Sequence, residues 1–539
     1  MTLFRLALRL GRVGAIAAGL IGVAAALAQP LAFAQLAGGT AAEREVFAQQ
    51  MEILARQLTY LLPLPHGLGT MAGWIEWRAI GALEVIFAFW AVMAGSGAGR
   101  GDEEQGLVEH WLAQGVSRGR YIASRIAAFA LITTIVVTLT LAAARVGSAL
   151  GKEPVPASAL ALQGIALLGL VLCCYAIALF AAQLVTTRRS AVALGGGALL
   201  VLYLVDVVAR TDGAESIRWI SPFWLYDQNH PLTNGGTVDV LKTVALYVTA
   251  ATFAAAASAA FVRRDLGAPL LRRPPLDSEP TTLPASDPFL RLPVLAILDQ
   301  QRTSILVWAV ALAALGVFFL SFTRTLVDAM LATPSFRVYM ERAGLGTYTS
   351  FIGLVWFSSL VLLLSIYAIV QTNGWAADDQ EGRLEVVAAQ PVSRMRIVVE
   401  RLAALLAGAA LIVTAAGAAL AIGASAAQVA IDNGRLALGS VLSLGVVFAF
   451  GGLGAAGVGW RPRATVIALG AVAIASYFLQ EFTPLFGWPT PLADLSIYAL
   501  YGNPVSGTVD WARSTALFGI GLIGTLIALV AVGRRDIGR

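Results

Sequence analysis

Asp102-Glu-Glu-Gln-Gly-Leu-Val-Glu-His-Trp-Leu-Ala-Gln-Gly-Val-Ser-Arg-Gly-Arg-Tyr-Ile-Ala-Ser-Arg125 returns as Asp378-Asp-Gln-Glu-Gly-Arg-Leu-Glu-Val-Val-Ala-Ala-Gln-Pro-Val-Ser-Arg-Met-Arg-Ile-Val-Val-Glu-Arg401. Adding 276 carries Gly106 to Gly382, Glu109 to Glu385, Gln114 to Gln390, Val116-Ser117-Arg118 to Val392-Ser393-Arg394 and Arg125 to Arg401; 12 of the 27 positions from 102 to 128 are identical. A repeat fixes architecture before any local reading does. Three further anchors keep the same order. Arg188 with Val192 to Gly195 matches Arg463 with Ile467 to Gly470, Gly236 to Asp239 matches Gly507 to Asp510, and Arg263 to Gly267 matches Arg534 to Gly538. The chain therefore reads as two halves, 1–267 and 288–539, joined by a Pro-rich polar linker, 268–287.

Composition sets the solvent. At 58% hydrophobic, 13% charged and a mean hydropathy of +0.77, the chain is far more apolar than a soluble domain. Runs long enough to span a bilayer fall near 14–36, 79–98, 126–147, 158–184, 190–209 and 240–261, then near 303–324, 351–371, 402–424, 436–457, 465–481 and 513–532. The expected class is an all-α polytopic membrane protein of about 12 transmembrane helices in two parallel six-helix repeats. Arginines gather on alternate connections: Arg5, Arg9 and Arg12; Arg118, Arg120 and Arg125; Arg188 and Arg189; Arg263 and Arg264; Arg394, Arg396 and Arg401; Arg461 and Arg463; and Arg534, Arg535 and Arg539. By the positive-inside rule both termini and both motif copies are expected to be cytoplasmic. The net charge of +5 is this topology signal; no basic stripe points to nucleic acid.

Arg5 to Arg12, an apolar run and Ala32-Phe33-Ala34 also fit a signal peptide. The run is longer than an h-region, and cleavage would leave the first half one span short, so it is expected to be kept as span one. Residues 2–12 read as an amphipathic leading helix in the headgroups, with Phe289 to Arg302 as its counterpart. Phe47, Met51, Leu54, Leu58 and Leu61 recur at helical spacing in the first outer loop.

Several chemistries are absent. Cys173 and Cys174 are adjacent in span four and read as packing residues. His66, His110 and His230 are isolated in sequence and give no metal spacing, so no metal site is expected. Gly95 to Gly101 is glycine-rich, but no P-loop motif occurs, so no cofactor is expected in this chain. Asp378-Asp379 at a transferase metal-diphosphate site is outweighed by a solvated helix start.

In each motif copy the acidic start is expected to begin a short helix with Leu107, Trp111 and Leu112 on one face. Gly115 or Pro391 stops it, and Ser117 or Ser393 caps the next. Arg118, Arg120 and Arg125 oppose the dipole there, so a lipid phosphate or protein carboxylate must favour them. A bare topology signal would need only the arginines and would not keep Gly, Glu, Gln, Val and Ser in register. Within the spans, Asp206 and Glu481 correspond, whereas the counterpart of Glu84 is Leu360; intramembrane acids are pathway candidates, although Asp206 and Glu481 lie near outer headgroups.

Together these residues resemble the ABC-2 type exporter permeases, in which a Glu-x-x-Gly-x-x-Glu…Pro-Val-Ser-Arg loop between spans two and three holds the coupling helix. Fused halves of this length are similar to actinobacterial permeases labelled exporters of polyketide antibiotics, including the tetronasin type. The resemblance implies a non-enzymatic permease in a bacterial plasma membrane, moving a hydrophobic or amphipathic small molecule (drug, antibiotic or lipid-like) outward. It also implies that Glu104, Gly106, Glu109, Val116, Ser117 and Arg118, with Glu381, Gly382, Glu385, Pro391, Val392, Ser393 and Arg394, contact a separate ATPase subunit. Two ATPase copies per chain would bind ATP and Mg. Gly115 against Pro391, and Gln380 against Glu104, depart from the pattern and put equal docking of the two faces in doubt. The alternative is a proton-coupled twelve-span carrier, which predicts a short basic loop after span two and mid-membrane acidic relays.

Overall fold

Inside a bilayer every backbone donor and acceptor must be satisfied within its own segment, so long Ala-, Leu- and Val-rich runs become helices. A computed structural model describes residues 2–57, 64–212, 217–233, 235, 237–270, 292–332, 346–380, 382–390, 392–486, 488–507 and 509–534. Among them there is no strand, and the molecule is an all-α polytopic membrane protein. Contacts divide the chain into two compact units, Met1–Glu279 and Pro280–Arg539. The expected linker lies mostly outside the described residues.

The first unit holds α1 (Thr2–Leu36), α2 (Ala41–Gln57), α3 (Met71–Glu104), α4 (Leu107–Ala113), α5 (Arg118–Leu150), α6 (Ala157–Leu184), α7 (Arg188–Asp212), α8 (Pro222–Asp227) and α9 (Val240–Arg263). The second holds α10 (Pro293–Ala332), α11 (Tyr348–Asp379), α12 (Arg383–Ala388), α13 (Arg394–Ala426), α14 (Asn433–Val458), α15 (Pro462–Phe486), α16 (Ile497–Tyr501) and α17 (Trp511–Arg534). Eleven described helices are long and apolar enough to cross a membrane. The twelfth expected place is taken by Ala464–Gln480, a shorter apolar stretch of α15.

Each unit packs its spans in the same pairs. In the first, α1 runs along α5, α3 lies on α6, and α6 on α9; in the second, α10 runs along α13, α11 on α14, and α14 on α17. The innermost helices are α3 and α6 in one unit, α11 and α14 in the other. Glycines set the closest approach. A Cβ at Gly452 of α14 would collide with the Gly521 carbonyl of α17, the small-residue contact that lets membrane helices touch backbone to backbone.

The amphipathic leading helices are not separate. Residues 2–12 continue into span one as α1, 35 residues long, and residues 293–302 continue into span seven as the 40-residue α10. Gly11 and Gly14 do not break α1, because they are where it presses on Ile132 and Trp90. A helix of 35 residues is about 52 Å long, well beyond a hydrocarbon core of about 30 Å. In the first outer loop, α2 buries Phe47 against Phe33 and Trp74, with ring centroids 5.9 and 5.4 Å away; Leu58 and Leu61 lie outside the described residues.

Two π-helical turns interrupt α3, at Ile75–Ile80 and Gly97–Gly101, and one opens α11 at Gly353–Phe357. Such bulges re-aim side chains and gather at functional sites. The first places Glu76, the second Arg100.

Candidate functional site

The repeated stretch folds alike in both units, with one departure from expectation. Asp102, Glu103 and Glu104 do not begin the short helix; they form the last turn of α3. A carboxylate there meets the negative end of the helix dipole, so each needs a positive partner. Asp102 takes Nε of Arg125 at 2.8 Å and the hydroxyl of Tyr121 at 3.0 Å. Glu104 accepts the Arg188 N–H at 2.6 Å, using the positive N-terminus of α7. Its side chain is otherwise exposed.

The chain then reverses at Gly106, whose φ of +67° is matched by +72° at Gly382. This left-handed conformation costs a residue without a Cβ least. α4 follows with Val108 fully buried and Leu107, Trp111 and Leu112 partly so, while Glu109, His110 and Gln114 are exposed. Gly115, at φ +83°, ends it, as a glycine past a helix C-terminus does. Ser117 Oγ then accepts the Arg120 N–H at 3.4 Å and opens α5; Ser393 Oγ accepts the Arg396 N–H at 3.3 Å and opens α13. Both serines are the N-caps expected from sequence. Arg118 turns back to the carbonyls of Arg264 and Val262, at 2.6 and 3.4 Å, at the negative C-terminus of α9. In the second unit α12 leaves Glu385, Val386 and Val387 exposed, and Arg394 and Val392 sit at the start of α13. Glu381 and Pro391 lie outside the described residues.

One ion pair recurs. Arg401 meets Asp378 at 2.8 Å, as Arg125 meets Asp102. Each pins the spanning helix after the motif to the spanning helix before it, so the surface helix between them is held at both ends. Of the arginines expected to need a lipid phosphate or a protein carboxylate, Arg125 finds its carboxylate in Asp102, whereas Arg118 turns to backbone carbonyls.

The first unit adds a buried cluster that the sequence did not announce. Glu103 lies between Arg100, at 2.8 Å, and Arg264, at 3.1 Å and by a second, closer contact. Arg100 also donates to the carbonyls of Ala182 and Ala268, and Arg264 to Gln183 Oε1 at 2.8 Å. The cluster ties the ends of α3, α6 and α9. Ala376 and Val458 stand at the places of Arg100 and Gln183, so two members of the cluster have no counterpart in the second unit.

Cavities adjoin both ion pairs. In the first unit about 250 Å³ is lined by Gly11, Trp90, Asp102, Arg125, Phe129 and Tyr175, with Phe129 and Tyr175 stacked at 4.0 Å. In the second, about 50 Å³ lies among Trp375, Leu384, Arg394 and Arg401.

The intramembrane acids stand apart from the motif. Glu84 and Asp206 are fully buried in the first unit, so Asp206 does not reach for headgroups. Glu84 is about 30 Å along α3 from Glu104 at 1.5 Å per residue. The backbone of Glu481 belongs to α15; its side chain is outside the description. Cys173 and Cys174 are buried packing residues. The reading of His66 and His230 as isolated is corrected: folding brings their rings to 4.0 Å.

Residues 290–532 match the family model described as multidrug efflux system permease Rv1217c, C-terminal domain. The matched range lies in the second unit and includes Gly382, Glu385, Ser393 and Arg401. No curated protein matches the chain. With the membrane-helical fold, the family match supports an efflux permease.

Proposed function

We propose that this chain is the membrane permease of an ABC exporter, moving a hydrophobic or amphipathic small molecule outward while a separate ATPase subunit, two copies per chain, binds and hydrolyses ATP. The observation that carries the reading is the repeated unit of α4–α5 and α12–α13. In each, a surface helix with an exposed glutamate, Glu109 or Glu385, runs through a capped turn into a spanning helix and is tied back by an Asp–Arg pair. A push on α4 or α12 is thereby delivered to α5 or α13. Closure of two ATPases beneath these helices would tilt them and change access from inside to outside. The aromatic cavity beside Arg125 is where an apolar cargo would first meet the first unit. Glu104, Gly106, Val116, Ser117 and Arg118 shape one docking helix, and Gly382, Val392, Ser393 and Arg394 the other, with Glu381 and Pro391 flanking it.

The test is Glu109→Arg and Glu385→Arg. Both sites are exposed, so the folding cost is on the order of 0.5 kcal/mol, whereas a reversed charge opposes a complementary partner surface. The expected result is normal membrane insertion, weaker retention of the ATPase subunit and lost efflux. Variants that export and retain the ATPase like the parent overturn the reading. The buried carboxylates Glu84 and Asp206 favour a second reading, a proton-coupled carrier, which predicts transport by this chain alone down a proton gradient.

A further inference from the structure

At the end of α3 opposite the coupling motif, three side chains from distant segments converge. His66 comes from the connection between α2 and α3, Glu76 from the first π turn of α3, and His230 from the turn after α8. One ligand atom from each lies within 4.8 Å of the other two. Nδ1 of His230 is 2.8 Å from Glu76 Oε1, and the two imidazole rings tilt toward each other at 41°. Thr233 Oγ1 donates to the same carboxylate oxygen at 3.4 Å. The other oxygen, Glu76 Oε2, is buried and has no hydrogen-bond partner among the described residues, although the glutamate side chain is only 10% exposed. A buried carboxylate oxygen left unsatisfied demands an explanation.

The surroundings are built around a small void. His66, Glu76, His230, Tyr226, Asp227 and Asn229 line about 20 Å³, which suits one water or one ion. The loop carrying His230 is held from behind. Asn229 donates to the Leu225 carbonyl at 3.1 Å and accepts from Asp239 N–H and Thr243 Oγ1 at 3.0 and 3.1 Å, and Gln163 donates to the Tyr226 hydroxyl at 2.8 Å. Two imidazoles also cannot both carry charge at this separation without strain. His66 keeps an exposed edge, but partial burial, then the neighbouring His230, holds its pKa below the ordinary value. Burial opposes charge on His230 too, but the hydrogen bond and charge of Glu76 outweigh it and raise that pKa.

We propose that His66, Glu76 and His230 form a binding site for a divalent transition-metal ion of the zinc type. Two imidazoles and one carboxylate are a zinc donor set, with a fourth position left for water; imidazole donors disfavour calcium and magnesium, which take oxygen. Tetrahedral zinc places its ligand atoms about 3.3 Å apart, so the present spacing closes on the ion by small side-chain movements. The ion would replace the His230–Glu76 proton and supply the missing partner of Glu76 Oε2. It would also fasten the connection at His66 and the turn at His230 to the start of α3. The site belongs to the first unit alone: the chain has 3 histidines, none beyond position 230, and Ile352 stands at the place of Glu76.

The test is zinc titration of the purified full-length chain after chelator treatment, with bound metal counted by mass spectrometry and cobalt substituted for its ligand-field absorption. One equivalent per chain and a tetrahedral cobalt spectrum are expected. His66→Ala and Glu76→Gln should weaken binding at least tenfold, His230→Ala should abolish it, and His110→Ala should leave it intact. His66 is exposed, so its variant stays informative even if His230→Ala does not fold. A parent chain that takes up no zinc at micromolar free metal, or variants that bind as the parent does, overturn the proposal.

Discussion

Glu103 shows how a single residue fixes one end of the first unit. Its carboxylate is shared by two buried guanidiniums that come from α3 and from just beyond α9. Removing one partner of a buried pair leaves an uncompensated charge, at a cost of about 3–5 kcal/mol. Arg264→Ala is therefore expected to lower the unfolding midpoint of the purified protein strongly. Arg535→Ala, its counterpart in the repeated sequence, should cost far less; equal losses would remove the asymmetry between the two units. The caps are gentler. Ser117→Ala and Ser393→Ala should each cost about 1 kcal/mol, read as a small drop in the same midpoint. Ser117 and Ser393 were legible in sequence because capping depends on neighbours three residues away. Glu103 with Arg264, or His66 and Glu76 with His230, depend on contacts across one hundred residues or more, which no local spacing encodes.

At the scale of elements, the apolar runs located nearly every span, since burial of backbone groups leaves a membrane segment few alternatives. Boundaries failed where charge was taken as a stop. Arg5, Arg9 and Arg12 suggested a separate surface helix, yet α1 runs through them because Gly11 and Gly14 keep packing on α5 and α3. Acidic Asp102 to Glu104 suggested a helix start, yet partners on α5 and α7 let them end α3. The π turns were invisible because they are set by packing and not by a residue signature. Close glycine contacts give the sharpest prediction here. Gly452→Ala must push α14 and α17 apart, and overpacking of this kind costs about 1–3 kcal/mol. Loss of thermal stability in detergent is expected, while Gly470→Ala, with open space around its Cβ position, should behave as the parent.

For the whole molecule, the proposed function implies a division of labour in which this chain would provide the path and the levers and a second polypeptide the energy. The repeated motif was readable from residue identities alone, and its shape, an αL glycine, a surface helix, a serine cap and an Asp–Arg tie, supports that division. The cargo was not readable, because apolar walls such as Trp90, Phe129 and Tyr175 carry little chemical code. The most direct measurement is transport in proteoliposomes that hold this chain with or without its ATPase subunit. Export that requires both the second polypeptide and ATP, with no ATP hydrolysis by the chain alone, is the predicted result. Export by this chain alone, driven by a proton gradient and indifferent to ATP, would contradict it.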